Sequence, residues 1–547
     1  MVKSIMKIKL NLRRAGALAA GLIVLPMMLQ AQQVFQYATG AGTIFYTTNN
    51  GAVAIQSYSG NDTALAIPNA ISGLPVTSIG NAAFYQNFTL TSVVIGTNVT
   101  TLANQAFFYC PLLAGVTIPA SVTNIGLAPF VDCKSLTVIA VATNNPDFVS
   151  TNEVLFNKAR TSLIEFPGGV TGTFNIAAAV TNVGSAFIGN TLTNLTVDAA
   201  NANFAGTNGV LFDKSRTYLI SYPGGLVGGY AVPTNVTTIV SAAFEYDTGI
   251  TNVSIGTNVT SIGQFAFYDC ANLLAITVNP TNQYYSSLNS VLFDKHQTDL
   301  IQYPSGLAGS YIVPGTATNI ESGAFGDSAG LVSVVIPDSV RSLGVQTFYS
   351  CQNLVSISLG NGLTSIGQQA FNECTSLADL AIPNSVTNIG SYAFYYCPGL
   401  VSVTFGTGLK SLGLESFGDC QSLSYVCFSG NQPVDGGSVF YFDMALTQIL
   451  YVSGTTGWGG SYDSIPTAPC PTCGSLVAAP PLGIIKSGTN VVVGWPVTAT
   501  GFTLLTTTNL VPPVVWATDA TAPAIFSTYF VVTNSFTGPK RFYRLKQ

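Results

Sequence analysis

Apolar positions along the chain recur at a fixed interval, which phenylalanine marks most clearly. An interval of 23 residues separates consecutive members of three series, which are Phe84, Phe107 and Phe130; Phe244 and Phe267; and Phe325, Phe348, Phe371, Phe394 and Phe417. Gaps of 57 or 58 residues lie on both sides of Phe187 and before Phe325. Repetition at such a period predicts a solenoid, in which one short structural unit is stacked many times.

Within one repeat, which we call a rung, the apolar pattern predicts short strands. After the anchor Phe371 comes LADLAI at 377–382, and its final alternation is typical of a half-buried strand. Val386 and Ile389 then lead to the next anchor phenylalanine. We therefore expect a short parallel strand, a turn, a second short extended stretch and a tight helical or 3₁₀ turn around the phenylalanine in each rung.

Each of the three longer gaps contains an extra module of roughly 34 residues. The modules share a signature, which reads EVLFNK at 153–158, GVLFDK at 209–214 and SVLFDK at 290–295. Each continues into a strand-like stretch with a proline-glycine or proline-serine-glycine turn, LIEFPGG at 163–169, LISYPGG at 219–225 and LIQYPSG at 300–306. This pattern predicts hairpins that elaborate the solenoid.

The first 31 residues resemble a cleaved secretory signal peptide. Five basic residues and no acidic one precede or accompany an apolar stretch from Ala15 to Leu29, and Ala31 offers a cleavage point. A membrane anchor is the alternative, but a span needs about 20 apolar residues. We expect a secreted or cell-surface protein with no transmembrane segment after cleavage. The remaining chain has a formal net charge of −10, which disfavours nucleic-acid binding.

Several phrases are similar to those of a known repeat family. VTSIGNAAF at 76–84, LTSIGQQAFNEC at 363–374, VTNIGSYAFYYCPGL at 386–400 and the GVLFDK modules resemble BspA-type leucine-rich repeats. The resemblance spans roughly residues 34–465. It implies a secreted or surface protein, as members of the family are. Some members bind host matrix proteins or take part in adhesion and coaggregation, so the resemblance also implies a role of this kind. It supplies no catalytic residues.

These patterns predict a repeat solenoid of the leucine-rich-repeat type, mainly β with short helical turns, plus a small C-terminal all-β domain. The regions are a signal peptide at 1–31, an N-terminal β cap at 32–75, the solenoid with three hairpin inserts at 76–430, a C-terminal cap and linker at 431–473, and a β-sandwich-like module at 474–547. The last region ends in a basic strand with Arg541 and Arg544. Such a strand protects a sheet edge from aggregation, or anchors the protein to anionic envelope polymers.

Seven of the ten cysteines occupy one slot, three residues after an anchor phenylalanine. They are Cys110, Cys133, Cys270, Cys351, Cys374, Cys397 and Cys420. Other rungs place Asn87, Asn190, Asp247 or Ser328 in this slot, which indicates an inward polar position that bonds to the backbone. A string of metal-binding thiolates is the alternative, but metal sites need ligands that converge.

Three cysteines lie outside this slot. Strand alternation predicts that Cys427, between Val426 and Phe428, points outward. Cys470 and Cys473 form a CPTC motif without the βαβ context of a redox site. We expect a local disulfide in this pair or a bridge from Cys427 to one of them, and a zinc site is a weaker alternative.

The sequence gives little support for catalysis. His296 is the only histidine, and its counterparts in the other modules are Ala159 and Ser215, so we expect a solvated side chain. Acidic residues are sparse and form no recurring pair. We expect no enzyme activity and no cofactor or metal; a carbohydrate-processing protein is a remote alternative.

Two rows of side chains could face a partner. The outward strand positions carry mainly small residues and lack the tryptophan, tyrosine and arginine that dominate interface hot spots. The residue after the anchor is often aromatic, as in Tyr85, Phe108, Tyr268, Tyr349 and Tyr395. This stripe either packs between rungs or contacts a ligand by stacking.

We therefore expect an exported, non-enzymatic protein that mediates adhesion or recognises an extracellular protein or glycan. A structural envelope protein that binds mainly itself is the alternative, because self-association remains open. The sequence does not identify the ligand, the face that binds it, the mode of surface retention or the role of the C-terminal module.

Overall fold

A computed structural model describes residues 34–470 continuously, followed by segments at 483–487, 490–496, 503–507, 517–519, 521, 523–526, 529–535 and 542–546. The described residues form two compact units, one up to residue 251 with 258–270, the other comprising 252–257 and the residues from 271 onward. Strands and turns build both units, and no described helix is long and apolar enough to cross a membrane.

Up to residue 270 the strands are β1 (Phe35–Ala38), β2 (Gly42–Asn49), β3 (Ala52–Gly60), β4 (Ala64–Ala66), β5 (Ala70–Ile71), β6 (Leu74–Ile79), β7 (Ser92–Val94), β8 (Thr101–Leu102), β9 (Gly115–Ile118), β10 (Asn124–Ile125), β11 (Val138–Val141), β12 (Phe148–Thr151), β13 (Val154–Asn157), β14 (Leu163–Glu165), β15 (Thr171–Ile176), β16 (Thr191–Val197), β17 (Phe204–Thr207), β18 (Val210–Asp213), β19 (Tyr218–Ser221), β20 (Gly228–Ala231), β21 (Thr238–Ile239), β22 (Ile250–Ile255) and β23 (Ser261–Ile262).

From residue 271 the strands are β24 (Ala275–Val278), β25 (Tyr285–Leu288), β26 (Val291–Asp294), β27 (Asp299–Gln302), β28 (Gly309–Ile312), β29 (Asn319–Ile320), β30 (Leu331–Val335), β31 (Ser342–Leu343), β32 (Ser356–Ser358), β33 (Ser365–Ile366), β34 (Asp379–Ile382), β35 (Asn388–Ile389), β36 (Ser402–Phe405), β37 (Ser411–Leu412), β38 (Tyr425–Phe428), β39 (Val434–Asp435), β40 (Ile449–Val452), β41 (Ser461–Tyr462), β42 (Ile465–Cys470), β43 (Gly483–Ser487), β44 (Asn490–Pro496), β45 (Thr503–Thr507), β46 (Ala517–Thr518), β47 (Ala524–Phe526), β48 (Tyr529–Ser535) and β49 (Phe542–Lys546).

Successive rungs add parallel strands to two kinds of sheet, as the sequence predicts for a solenoid. In the first unit one sheet runs β1-β2-β3-β6-β8-β10 and another runs β4-β7-β9-β11. In the second unit the order β27-β29-β31-β33-β35-β37-β39 is accompanied by β34-β36-β38-β40. Each 23-residue rung therefore contributes one strand to each sheet, and apolar side chains between the sheets form the core. The C-terminal strands form two antiparallel sheets, as expected of a small all-β domain.

The anchor phenylalanines form columns of stacked rings inside this core. From Phe325 to Phe417 neighbouring ring centroids lie 4.6 to 5.0 Å apart, with interplanar angles of 4° to 18°. In the first unit Phe84 and Phe107 lie 4.9 Å apart at 7°. These distances match the spacing of about 4.8 Å between adjacent strands. A ring at the same slot in every rung therefore meets the next ring in van der Waals contact.

The segment around each anchor consists of hydrogen-bonded turns, so the expected short helical turns are wrong. Gln369 and Glu373, on either side of Phe371, have φ values of 55° and 63°. A non-glycine residue adopts this left-handed conformation at a cost of about 1–2 kcal/mol. The N–H groups of all three residues donate to carbonyls of the next rung at 2.7 to 3.0 Å. These hydrogen bonds offset the strain and orient every turn in the same direction.

The inserted modules are confirmed as antiparallel hairpins, and each one adds a turn to the solenoid. In two modules the strands β17-β18-β19 and β25-β26-β27 are antiparallel, and the last strand then pairs in parallel with β21 or β29. The aromatic residue of the proline turn stacks on the anchor phenylalanine that follows it. The ring centroids of Tyr222 and Phe244 lie 5.0 Å apart, and those of Tyr303 and Phe325 also lie 5.0 Å apart.

One buried asparagine ties each module to the rung before it. Asn201, 1% exposed, makes four hydrogen bonds of 2.8 to 2.9 Å to the backbone of Ala177, Val180, Asn203 and Phe204. Asn145 and Asn282 occupy the same position in the other modules. The lysine of each VLFNK or VLFDK signature donates to the backbone carbonyl of this asparagine, which gives the signature a structural reason.

Replacing this asparagine should destabilise the first unit. Asn201→Ala leaves several buried backbone groups without partners, so the free energy of unfolding should fall by about 3 kcal/mol. The control Asn203→Ala changes an exposed side chain and should cost less than about 0.5 kcal/mol. Chemical denaturation of both variants measures the difference, and equal losses would contradict the role assigned to Asn201.

Buried acids make the stability of the first unit depend on pH. Glu245 follows the anchor Phe244, is 4% exposed, and has no hydrogen-bond partner on either carboxyl oxygen within the part of the chain that the structure describes. Burial raises its pKa to about 8. Burial also raises the pKa of Asp247 to about 7, although two backbone N–H groups lower it. Both carboxyl groups are therefore held largely in the neutral form at mildly acidic pH.

The sign of the pH dependence follows from the raised pKa of Glu245. The unfolded chain releases this proton near pH 4.5, whereas the folded chain keeps it until about pH 8, so stability falls between these values. The loss is at most about 5 kcal/mol. Glu245→Gln should flatten this part of the stability profile, measured by denaturation at several pH values. An unchanged slope would show that Glu245 does not titrate as assigned.

Candidate recognition surface

The aromatic stripe predicted as a ligand surface is mostly internal. Tyr85, Phe108, Tyr268 and Tyr349 are at most 2% exposed, and only Tyr395 is partly exposed. In the first unit the rings of Tyr85 and Phe108 stack at 5.6 Å, within a cluster that also contains Tyr268. The prediction of a ligand-contact stripe is therefore wrong for these four residues. The packing alternative describes them, because the residue after the anchor is folded against neighbouring turns.

The outward strand face is as plain as the sequence suggests, and part of it is covered. Ser254 and Thr277 lie on neighbouring strands with their hydroxyl oxygens 3.1 Å apart. Ser333 and Val335 occupy the same row on β30 and are buried, 5% and 1% exposed. The backbone of the C-terminal strand β43 lies near that of β28 and β30. The face therefore presents mainly small residues.

A richer surface lies on the turns of three consecutive rungs in the second unit. We call residues 392–396, 415–419 and 441–443 the turn surface. It carries five partly exposed aromatic side chains, Tyr392, Tyr395, Tyr396, Tyr441 and Phe442. Tyr392 and Tyr395 meet edge to face at 5.7 Å, and Tyr441 and Phe442 do so at 4.7 Å.

Gly418 makes room for this aromatic surface. A Cβ atom at Gly418 would lie 3.2 Å from the ring of Tyr395, in the preceding rung, and 3.3 Å from the Cβ of Glu415. Such a distance is too short for a comfortable contact, so a larger residue would displace the tyrosine ring. The glycine therefore lets the ring of Tyr395 extend over the following rung.

Carboxyl groups lie among these rings. Burial and the negative charge of Asp419 raise the pKa of Glu415 to about 7. Asp419 accepts a hydrogen bond of 3.0 Å from Nε2 of Gln421. Asp443, 7% exposed, accepts the backbone N–H of Cys420 at 2.7 Å, while its Oδ2 has no hydrogen-bond partner among the residues described. Burial, with the charges of Asp419 and Asp463, raises the pKa of Asp443 to about 9.

The sequence prediction found only one member of this surface, Tyr395. Tyr392 and Tyr396 lie two residues from the anchor Phe394, outside the position directly after an anchor. Tyr441 does follow directly after a phenylalanine, Phe440, but this residue lies one interval beyond Phe417, the last anchor of the predicted series. The charge signal is visible in the sequence, because Lys410 is the only lysine or arginine between Arg341 and Lys486. The convergence of Glu415, Asp419 and Asp443 depends on stacking of the rungs.

The cysteine slot bonds to the backbone, as predicted. In all seven rungs the thiol donates to the carbonyl oxygen of the anchor phenylalanine in the preceding rung, at 3.0 to 3.2 Å. All seven side chains are fully buried. Burial raises the pKa of Cys374 and Cys420, which favours the protonated donor over a thiolate. The ladder thus joins each rung to the one before it.

The three cysteines outside the repeated slot and the single histidine are the other residues singled out in the sequence. Cys427, which the sequence places on the outward side of its strand, forms a disulfide bond and is fully buried. Val426 and Phe428 belong to the core cluster, which shows that alternation gave the side of the strand but not what covers it. Cys470 lies at the end of β42, and Cys473 lies outside the described residues. His296 is exposed, as expected.

Comparisons with known proteins identify the repeat. The family model described as BspA type Leucine rich repeat region matches in 6 copies, at residues 68–204, 229–312 and 318–447. Comparison with curated proteins gives no match.

Solved structures of bacterial repeat proteins are similar to this chain. A leucine rich cell surface protein from Faecalibacterium prausnitzii has 26% identity and a TM-score of 0.38, covering 73% of this chain and 96% of its own. A leucine-rich repeat protein from Eubacterium ventriosum has 20% identity and a TM-score of 0.37, with coverages of 77% and 92%. The pneumococcal vaccine antigen PcpA has 16% identity and a TM-score of 0.35, with coverages of 77% and 94%. The extent of the family match shows that the chain belongs to the BspA-type leucine-rich-repeat family.

Proposed function

We propose that this protein is exported and recognises a protein or glycan outside the cell, without enzyme activity, through its turn surface. The observation that carries the proposal is the grouping of five partly exposed aromatic side chains with carboxyl groups on three consecutive rungs. Tyrosine is enriched at interface hot spots because it combines a large apolar ring with a polar hydroxyl. The signal-like residues 1–31 support export.

The turn surface is a better candidate than the strand face. The strand face carries small side chains such as Ser254 and Thr277, and part of it, at Ser333 and Val335, is buried. The structural alternative, a protein that binds mainly itself, would leave the turn surface without a foreign ligand. Sedimentation of the purified chain over a range of concentrations separates the two functions.

A binding screen with matched variants tests the proposal. Immobilised matrix proteins and glycans are exposed to the full chain, to Tyr395→Ser with Tyr441→Ser, and to the control Tyr218→Ser. Tyr218 is 47% exposed and belongs to the first unit, whereas the turn surface belongs to the second. Saturable binding should weaken at least about tenfold in the double variant and stay unchanged in the control.

Melting temperatures of all three proteins verify that the variants are folded. Saturable binding that is equally strong in the double variant would place the ligand elsewhere on the molecule. Concentration-dependent self-association without binding to any foreign ligand would overturn the proposal in favour of the structural alternative.

A further inference from the structure

The turn surface lies in a part of the chain with very few positive charges. Residues 342–470 contain seven acidic residues, Glu373, Asp379, Glu415, Asp419, Asp435, Asp443 and Asp463, and a single basic one, Lys410. Lys410 is exposed and directly precedes strand β37, outside the turn surface. Its backbone N–H donates to the carbonyl of Thr387, which directly precedes β35. The turns themselves, at 392–397, 415–420 and 438–443, contain no lysine or arginine.

The carboxyl groups of the turn surface repel one another. The charge of Asp419 acts on both Glu415 and Asp443 and raises the pKa of each. Asp443 is nine-tenths buried, and its Oδ2 faces no hydrogen-bond donor among the described residues. Like charges brought together without a counter-charge are costly, and a bound cation would remove this cost.

The aromatic rings beside the carboxyl groups suit the same kind of ligand. Lysine and arginine side chains bind to the faces of tyrosine rings, and their charged ends pair with carboxylates. The ring of Tyr395 lies over Gly418, between Glu415 and Asp419 in the sequence, so that rings and acids share one surface. A neutral sugar could stack on the rings but would leave the repulsion between the carboxyl groups unrelieved.

We propose that the turn surface binds a lysine- or arginine-rich segment of a partner protein. This inference rests on the proposed function, because it names the class of ligand for the same surface. The guanidinium or ammonium groups lie against Tyr392, Tyr395 or Tyr441 and pair with Glu415 and Asp419. The carboxyl groups therefore select for positive charge, and the tyrosine rings supply most of the contact area.

The proposal has a characteristic pH dependence. A bound cation favours the ionised form of Glu415, whose pKa is about 7 in the free protein, so affinity should increase from about pH 6 to about pH 8. The groups that sense the charge of Glu415 are Asp419 in its own turn, Tyr392 in the preceding rung and Tyr441 in the following rung. Both tyrosines have raised pKa values and stay neutral in this range.

The test uses the full chain and a fluorescent peptide of about nine residues that alternates arginine and glycine, with a glutamine–glycine peptide as the neutral probe. Fluorescence anisotropy should show binding of the arginine peptide only, weakening as salt rises from about 50 mM to about 300 mM. Glu415→Gln with Asp419→Asn should weaken binding at least about tenfold and remove the increase with pH. Asp379→Asn with Asp435→Asn, which removes two exposed acids outside the turn surface, is the charge-matched control and should have no such effect.

The outcomes distinguish this inference from the function on which it rests. Equal binding of the two peptides, or arginine-peptide binding that is unchanged in the double acid variant, overturns the inference. A neutral glycan whose binding is lost in Tyr395→Ser with Tyr441→Ser but kept in the acid variant also overturns it, while sustaining the proposed function. Failure of every ligand to bind overturns both.

Discussion

The stacking of one phenylalanine per rung is the interaction on which the rest of this molecule depends. From Phe325 to Phe417 a ring spacing of 4.6 to 5.0 Å fits the spacing of the strands, so each anchor touches the next and these rungs share one core. Stability is therefore shared between neighbours, as in other solenoids. In two inserted modules an aromatic residue of the proline turn stacks on the anchor that follows it, as Tyr222 does on Phe244 and Tyr303 on Phe325.

The turns around the anchors repeat with the same period as the stacked rings and therefore place their side chains in regular rows on the surface. The residues two before and two after an anchor, such as Gln369 and Glu373, adopt a left-handed conformation, and their N–H groups donate to the next rung. Side chains near the anchor are thus set out in rows with the period of the rungs. In the first unit these rows close into an aromatic cluster, whereas in the second unit three turns leave tyrosines and acids partly exposed. Recognition would thus use residues that the repeat leaves variable.

The sequence was sufficient for the features that depend on period and alternation. The parallel strands, the hairpin modules and the backbone-bonding slot of Cys374 all follow from patterns along the chain. Features that depend on tertiary packing over a side chain could not be predicted from the sequence. Tyr349 and Cys427 are buried because other parts of the chain cover them, and alternation carries no information about such a cover. The meeting of Glu415 with Tyr395 likewise required the stacking of rungs in three dimensions.

Hydrogen exchange in a Phe371→Ala variant tests the central claim most directly. Loss of one ring from the column should lower the stability by about 3–5 kcal/mol. The loss should extend to both neighbouring rungs, because Phe348 N–H donates to the carbonyl of Ala370, and Phe371 N–H donates to that of Ala393. We predict faster exchange of amides in the rungs of Phe348 and Phe394 as well as in the mutated one. Exchange that increases only within the rung of Phe371 would contradict a core shared through the phenylalanine column.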